Sequence, residues 1–182
     1  MKDGLGTALA RWRVRAVLPR VKGRLLDIGC GTNLLVRAYS PRGQGIGVDV
    51  HPWPGADRVV ADCSSLPFPD RSFDTVAIVA ALNHMANREA ILREARRLLR
   101  PDGILLLTTL PPLVSRLWHA GRERHDADQA ERGMAAGEVF GFTGRALRDL
   151  LAAARFEIVA QRRFMLGINR LTVARPANGR RG

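Results

Sequence analysis

The residues best suited to chemistry sit in one short segment, Leu25-Leu26-Asp27-Ile28-Gly29-Cys30-Gly31-Thr32-Asn33. An apolar run ends in an acid, and a glycine-rich turn then opens what reads as a helix. Gly29 and Gly31 carry no Cβ, so the backbone there can turn sharply and approach a ligand closely, with the helix start in reach. Asp27 can face a cationic amino group directly or through water, which suits a sulfonium amino acid better than a pyrophosphate. About twenty residues on, Gly47-Val48-Asp49-Val50 puts an acid at the end of a second apolar run, where its carboxylate can accept both ribose hydroxyls of a nucleoside. A dinucleotide would call for Gly-x-Gly-x-x-Gly, whereas Gly31 is followed by Thr32-Asn33-Leu34. Neither lysine of the chain, Lys2 or Lys22, lies in a phosphate loop.

Two further groups can act on a second reactant. His84, in Ala81-Leu82-Asn83-His84-Met85, is a candidate base or acceptor-orienting group, with a structural histidine as the competing reading. The stretch Trp118 to Gln129 gathers His119, Arg122, Arg124, His125, Asp126 and Asp128. Arg122, Arg124 and His125 can grip a carboxylate or phosphate, and His125 is a second candidate for catalysis; a solvated charged helix is the plain alternative. Mixed imidazole and carboxylate side chains on polar helices are common, so no metal site is expected.

These residues need a scaffold to bring them together. Strand-like segments at Arg24–Ile28, Gly45–Val50, Arg58–Ala61, Thr75–Ala80 and Ile104–Thr109 alternate with helix-like ones, as in βαβ units. Arg88 to Arg100 spaces Ile91, Leu92, Ala95, Leu98 and Leu99 as a helix, which Pro101-Asp102-Gly103 stops and turns. Thr143 reads as the N-cap of a helix through Ala154, with Leu147, Leu150 and Leu151 on its buried face. Phe156–Ala160 and Ile168–Ala174 read as an antiparallel closing pair. Residues 1–20 read as a basic amphipathic helix, 111–142 as a substrate lid, and 176–182 as a disordered tail on a single domain, 1–175.

In this order the motifs resemble those of the class I S-adenosylmethionine-dependent methyltransferases, in the small bacterial, type 11-like form with an Asp-x-Gly-x-Gly-x-Gly first motif. The resemblance covers roughly residues 20 to 175 and departs at Asn33, which stands where the family has its third glycine. Asparagine tolerates left-handed backbone better than other non-glycine residues. On that ground Asn33→Gly is expected to keep or improve cofactor binding. The resemblance implies a doubly wound α/β fold: a mostly parallel, seven-stranded Rossmann-like sheet with an antiparallel last strand and helices on both faces. It implies S-adenosylmethionine as cofactor, held by Asp27, Gly29, Cys30, Gly31 and Asn33 in the first motif and by Asp49 and Val50 after the second strand. Asp62 and Cys63 would meet the adenine, and Ala80 would close the fourth strand beside it. Phe68 to Asp74 and Glu94 to Gly103 fit the family as scaffold. Asn83-His84-Met85 lacks the Asn-Pro-Pro-Tyr pattern of nucleobase amine methylation, and there is no Pro-Cys nucleophile for pyrimidine carbon.

Composition narrows the setting. No apolar run reaches the eighteen or so residues of a membrane span. Two cysteines, Cys30 and Cys63, give neither a disulfide scaffold nor a zinc spacing, so a reduced, cytoplasmic setting is expected. The net charge of +12 is nearly all arginine. It reads either as compositional bias or as attraction to an anionic partner: a phosphorylated substrate, RNA or lipid headgroups. The expected acceptor is a small or medium-sized metabolite, with RNA methylation and a non-catalytic S-adenosylmethionine-binding module as alternatives. The acceptor atom and the oligomeric state are not legible in the sequence.

Overall fold

A computed structural model describes residues 4–112 and 139–177. Strands β1 (Leu25–Ile28), β2 (Gly45–Asp49), β3 (Arg58–Val59), β4 (Phe73–Val79), β5 (Leu99–Thr109), β6 (Phe156–Phe164) and β7 (Asn169–Pro176) form one seven-stranded sheet of order β3-β2-β1-β4-β5-β7-β6. All neighbours through β5 pair in parallel, and β7 runs antiparallel to both β5 and β6. The order reverses at β1 and β4, so their carboxyl ends part and leave a crevice there. The doubly wound sheet with its antiparallel last strand is the architecture the motifs imply.

Alternation along β1 explains why both faces are covered. Leu25 joins a core with Val14 and Val17 of α1 (Gly4–Val17) and Leu35, Val36 and Tyr39 of α2 (Leu34–Tyr39). Leu26 and Ile28 join the opposite core, with Ile91, Leu92, Ala95 and Leu98 of α3 (Arg88–Leu98) and Leu147 and Leu151 of α4 (Gly144–Ala153). Truncating one of these fully buried leucines to alanine costs about 2–5 kcal/mol. The Thr143 side chain caps α4, accepting from the Ala146 N–H at 3.1 Å.

Four boundaries differ from expectation, one being β6, which runs four residues past Ala160 to Phe164. The helix over 88–98 passes directly into β5 at Leu99, and Pro101-Asp102-Gly103 lies in an irregularity of that strand. Leu99 pairs with Phe73 and Ile104 with Thr75, so a five-residue step on β5 faces a two-residue step on β4. Strand β3 is only Arg58–Val59. Pro176 and Ala177, which the sequence assigns to the tail, are held, the latter through its N–H to Arg155 O at 2.8 Å. Among the described residues, no helix is long and apolar enough to cross a membrane.

Candidate functional site

The crevice is a cleft of about 700 Å³ at the carboxyl ends of β1, β2 and β4. Gly29 (φ 71°) and Gly31 (φ 51°) form its floor. A Cβ on Gly29 would strike Ala81 Cβ at 2.6 Å, so the glycine is required by packing. A Cβ on Gly31 would meet nothing within 4 Å, because that side is the open cleft. Asp49 is buried, and its carboxylate fixes the turn by accepting from the Gly31 N–H (2.9 Å) and the His51 N–H (3.0 Å). Each oxygen retains a lone pair beside the cleft it lines.

The walls come from the next two loops. Val50 is exposed in the cleft, and the rings of His51 and Trp53, 4.6 Å apart, stand beyond it. On the far side Asp62 accepts from the Ser64 N–H (2.8 Å) and from Asn87 Nδ2 (3.0 Å). The bonds from Ser64 and Asn87 hold its carboxyl below the usual range. Glu94, buried in α3, holds this loop by accepting from the Leu66 N–H at 2.8 Å while paired to Arg97. Glu94 and Arg97 thereby serve as the scaffold the sequence reading assigned to that segment. Burial pushes the Cys63 and Cys30 thiols up to about 12, nearby aspartates adding to the effect, which disfavours the thiolate form of both at neutral pH.

Ala80, after β4, has φ 56°, and its N–H reaches Thr108 Oγ1 at 2.9 Å. A non-glycine residue held left-handed beside a cleft is strain of the kind that collects at functional sites. His84 lines the same wall, its Nε2 2.9 Å from Asn83 Nδ2, while the Asn83 carbonyl receives the Val139 N–H at 3.0 Å.

Beneath the floor a second cavity of about 180 Å³ is lined by Asp27, Cys30, Thr32, Leu34, Ala80 and, from α1, Arg13. Asp27 is buried, its Oδ1 has no hydrogen-bond partner, and burial, with the charge of Asp49 added, raises its carboxyl to about 8. A neutral acid with an orphaned oxygen fits a ligand that brings a cation. Arg13 is also desolvated, which lowers its pKa, and its Nε donates only a long bond, 3.4 Å, to Asn169 Oδ1.

Asn33 is placed differently from expectation. Its backbone is left-handed (φ 61°, ψ 33°), but its side chain is outside both cavities and buried, donating to Gly55 O (3.0 Å) and Asp57 Oδ2 (2.8 Å). It anchors the loop that carries His51 and Trp53. Asn33→Gly is therefore expected to cost about 1–2 kcal/mol of stability, read as a lower Tm, and to weaken binding. The reverse result, tighter binding with an unchanged Tm, would return Asn33 to the role of a substitute glycine.

Arg122, Arg124 and His125, with His119, Asp126 and Asp128, lie outside the described residues. Among the described residues no cluster of metal-binding side chains occurs. Arg13, His51 and Trp53 are additions to the residues read from sequence.

The sheet order, the glycine floor and the two acids define a class I S-adenosylmethionine-dependent methyltransferase fold. Residues 26–107, a little under half of the chain, match the methyltransferase domain family, and this match together with the fold supports a class I methyltransferase with S-adenosylmethionine as cofactor. It is similar to 27-O-demethylrifamycin SV methyltransferase of Amycolatopsis mediterranei, 38% identical over 113 residues, 52% of this chain and 42% of that one. A ubiquinone/menaquinone biosynthesis C-methyltransferase of Burkholderia mallei is 27% identical over 143 residues, 69% of this chain and 57% of the relative. The chain thus spans only about half the length of these curated relatives. Among solved structures, Burkholderia thailandensis 1,6-didemethyltoxoflavin-N1-methyltransferase, with bound 1,6-didemethyltoxoflavin and S-adenosylhomocysteine, shares the fold. Its TM-score is 0.70 at 22% identity, over 97% of this chain and 82% of that one.

Proposed function

We propose that this chain transfers the methyl group of S-adenosylmethionine to a small or medium-sized metabolite that carries an anionic group. The observation that carries the reading is the pairing of an open glycine floor with an acid at each end, Asp49 in the cleft and Asp27 beneath it. In this reading Asp49 accepts the ribose hydroxyls, Val50 lies against the adenine, and Asp62 with the Cys63 backbone meets its edge. Asp27 takes the ammonium group and Arg13 the carboxylate. When bound, the cofactor supplies a sulfonium methyl, an electrophile that needs alignment and water exclusion more than a strong base. His84 orients the acceptor at the wall of the cleft. The relatives whose names specify small-molecule acceptors support the choice of acceptor class.

An anionic acceptor is favoured by Arg170. It pairs with Thr109 at the carboxyl end of β5, and a Cβ on Gly144 would lie 3.6 Å from its Nη1, which is buried without a partner. A guanidinium at a helix N-terminus is the wrong sign for the dipole, and α4 has no acid in its first turn. A carboxylate or phosphate on the acceptor would satisfy both. No arginine or lysine lines the cofactor cleft among the described residues, so the basic charge does not favour RNA there. The reading is tested by following S-adenosylhomocysteine production over a panel of acidic metabolites. With a competent acceptor, Arg170→Gln is expected to raise KM about tenfold with little change in kcat. Cofactor binding with no turnover on any acceptor would move the assignment to a binding module.

A further inference from the structure

We infer that the β6–β7 turn and the outer face of α1 form a docking surface for an anionic lipid bilayer. The turn Met165-Leu166-Gly167-Ile168 is closed by the Ile168 N–H to Met165 O at 3.1 Å. Its central residues are both left-handed, Leu166 at φ 55° and Gly167 at φ 85°. Asn-Gly is the pair such a turn favours, and leucine there carries a steric cost. Leucine would recover that cost by burial, yet Leu166 is 94% exposed. Neither turn chemistry nor the core accounts for an apolar side chain at the tip of this hairpin.

The neighbourhood has the same character. Ile168 and Trp12 are both exposed, at 40% and 47%. The Arg13 Nε to Asn169 Oδ1 bond joins the residue after Trp12 to the residue after Ile168, and Phe164 and Met165 share a core with Val14. Arg11 and Arg15 are exposed on the same side of α1 as Trp12, and Arg162 and Arg163 are exposed on the strand leading to the turn. None of these four arginines has a salt bridge among the described residues. Neither residues 4–26 nor residues 158–177 contain an aspartate or glutamate. Exposed apolar side chains and a tryptophan beside arginines, on two segments that carry no acid, match a bilayer with negative headgroups. The turn precedes Arg170, which pairs with the carboxyl end of β5, so docking sets the sheet edge that bears the cleft against the lipid.

The test is co-sedimentation of the purified chain with phosphatidylcholine vesicles, with and without phosphatidylglycerol, at low and at moderate salt. The chain is expected to bind the mixed vesicles and to bind pure phosphatidylcholine about tenfold more weakly. Leu166→Asn is the decisive variant, because asparagine suits the turn better. It is expected to keep or raise Tm while lowering vesicle binding about tenfold. The double variant Arg11→Gln/Arg15→Gln is expected to flatten the salt dependence. Absence of binding to mixed vesicles, or equal binding by the Leu166→Asn variant, would overturn the proposal. So would a dimer by sedimentation that the same variant dissolves, since a second copy would then cover the tip. S-adenosylmethionine affinity without vesicles is expected to be unchanged in these variants, which separates this test from that of the methyl-transfer reading.

Discussion

Replacing Asp49 with alanine is expected to lower the affinity for S-adenosylmethionine by two orders of magnitude or more, while the chain stays folded. A carboxylate accepting two ribose hydroxyls makes two charge-assisted bonds, together about 3–4 kcal/mol, a factor of roughly 100–1,000 in Kd. The carboxylate also ties the glycine turn to the second strand, through the Gly31 and His51 N–H groups. Its loss therefore loosens the floor of the cleft, and Tm is expected to drop by a few degrees. Asp49→Asn separates the two roles. Its amide oxygen can still accept one backbone bond, so stability recovers more than affinity does. Calorimetry with a melting curve for each variant gives both readouts; unchanged affinity in the alanine variant would remove Asp49 from the cofactor site.

Asp27→Asn is expected to weaken cofactor binding and, in the absence of cofactor, to stabilise the protein. The carboxyl is raised to about 8 by burial first and by Asp49 second. A carboxyl whose folded pKa lies above its unfolded value contributes stability that is present below about 4 and is lost as pH rises toward about 8. Over that window the parent chain should lose stability relative to Asp27→Asn. Integrated to neutral pH, that linkage is on the order of 4 kcal/mol, about ten degrees in Tm. Binding an ammonium group favours the ionised acid, so cofactor affinity in the parent rises with pH up to about 8 and binding at pH 7 releases a proton. Calorimetry in two buffers of different ionisation enthalpy detects that proton. The variant should release none, bind at least about tenfold more weakly and lose this pH dependence. A parent whose binding shows no proton release would place the cofactor's ammonium elsewhere.

How much of this was legible in the sequence depends on the range of the interactions involved. The first motif and Asp49 are local, each at a strand end whose apolar run and turn residues are contiguous; the Asp62-Cys63 pair follows three residues after β3, and apart from Asn33 these acids and glycines are found at the cleft or beneath it. Asn33 shows the limit of local reasoning. Its left-handed backbone was readable from residue type, but the direction of its side chain is set by Gly55 and Asp57, across a loop. The step in β5 was not readable, because Pro101-Asp102-Gly103 is the same punctuation whether the chain makes a free turn or a bulge in a strand. Arg13 carries no signal at all in α1, since it reaches the cavity only through a fold that brings it to Asn169, 156 residues away. The place of β7 between β5 and β6 likewise follows from pairing, which periodicity does not encode. His51 and Trp53 had a weak signal, two rings directly after the acid of the second strand.

The cleft between β1, β2 and β4 is expected to hold S-adenosylmethionine through Asp27 and Asp49. Calorimetric titration of the purified chain with S-adenosylmethionine and S-adenosylhomocysteine, with NAD as control, tests it most directly. Micromolar binding of the first two, none of NAD, and loss of both in Asp49→Ala are expected. Binding of neither by a folded chain, or equal binding of NAD, would contradict it.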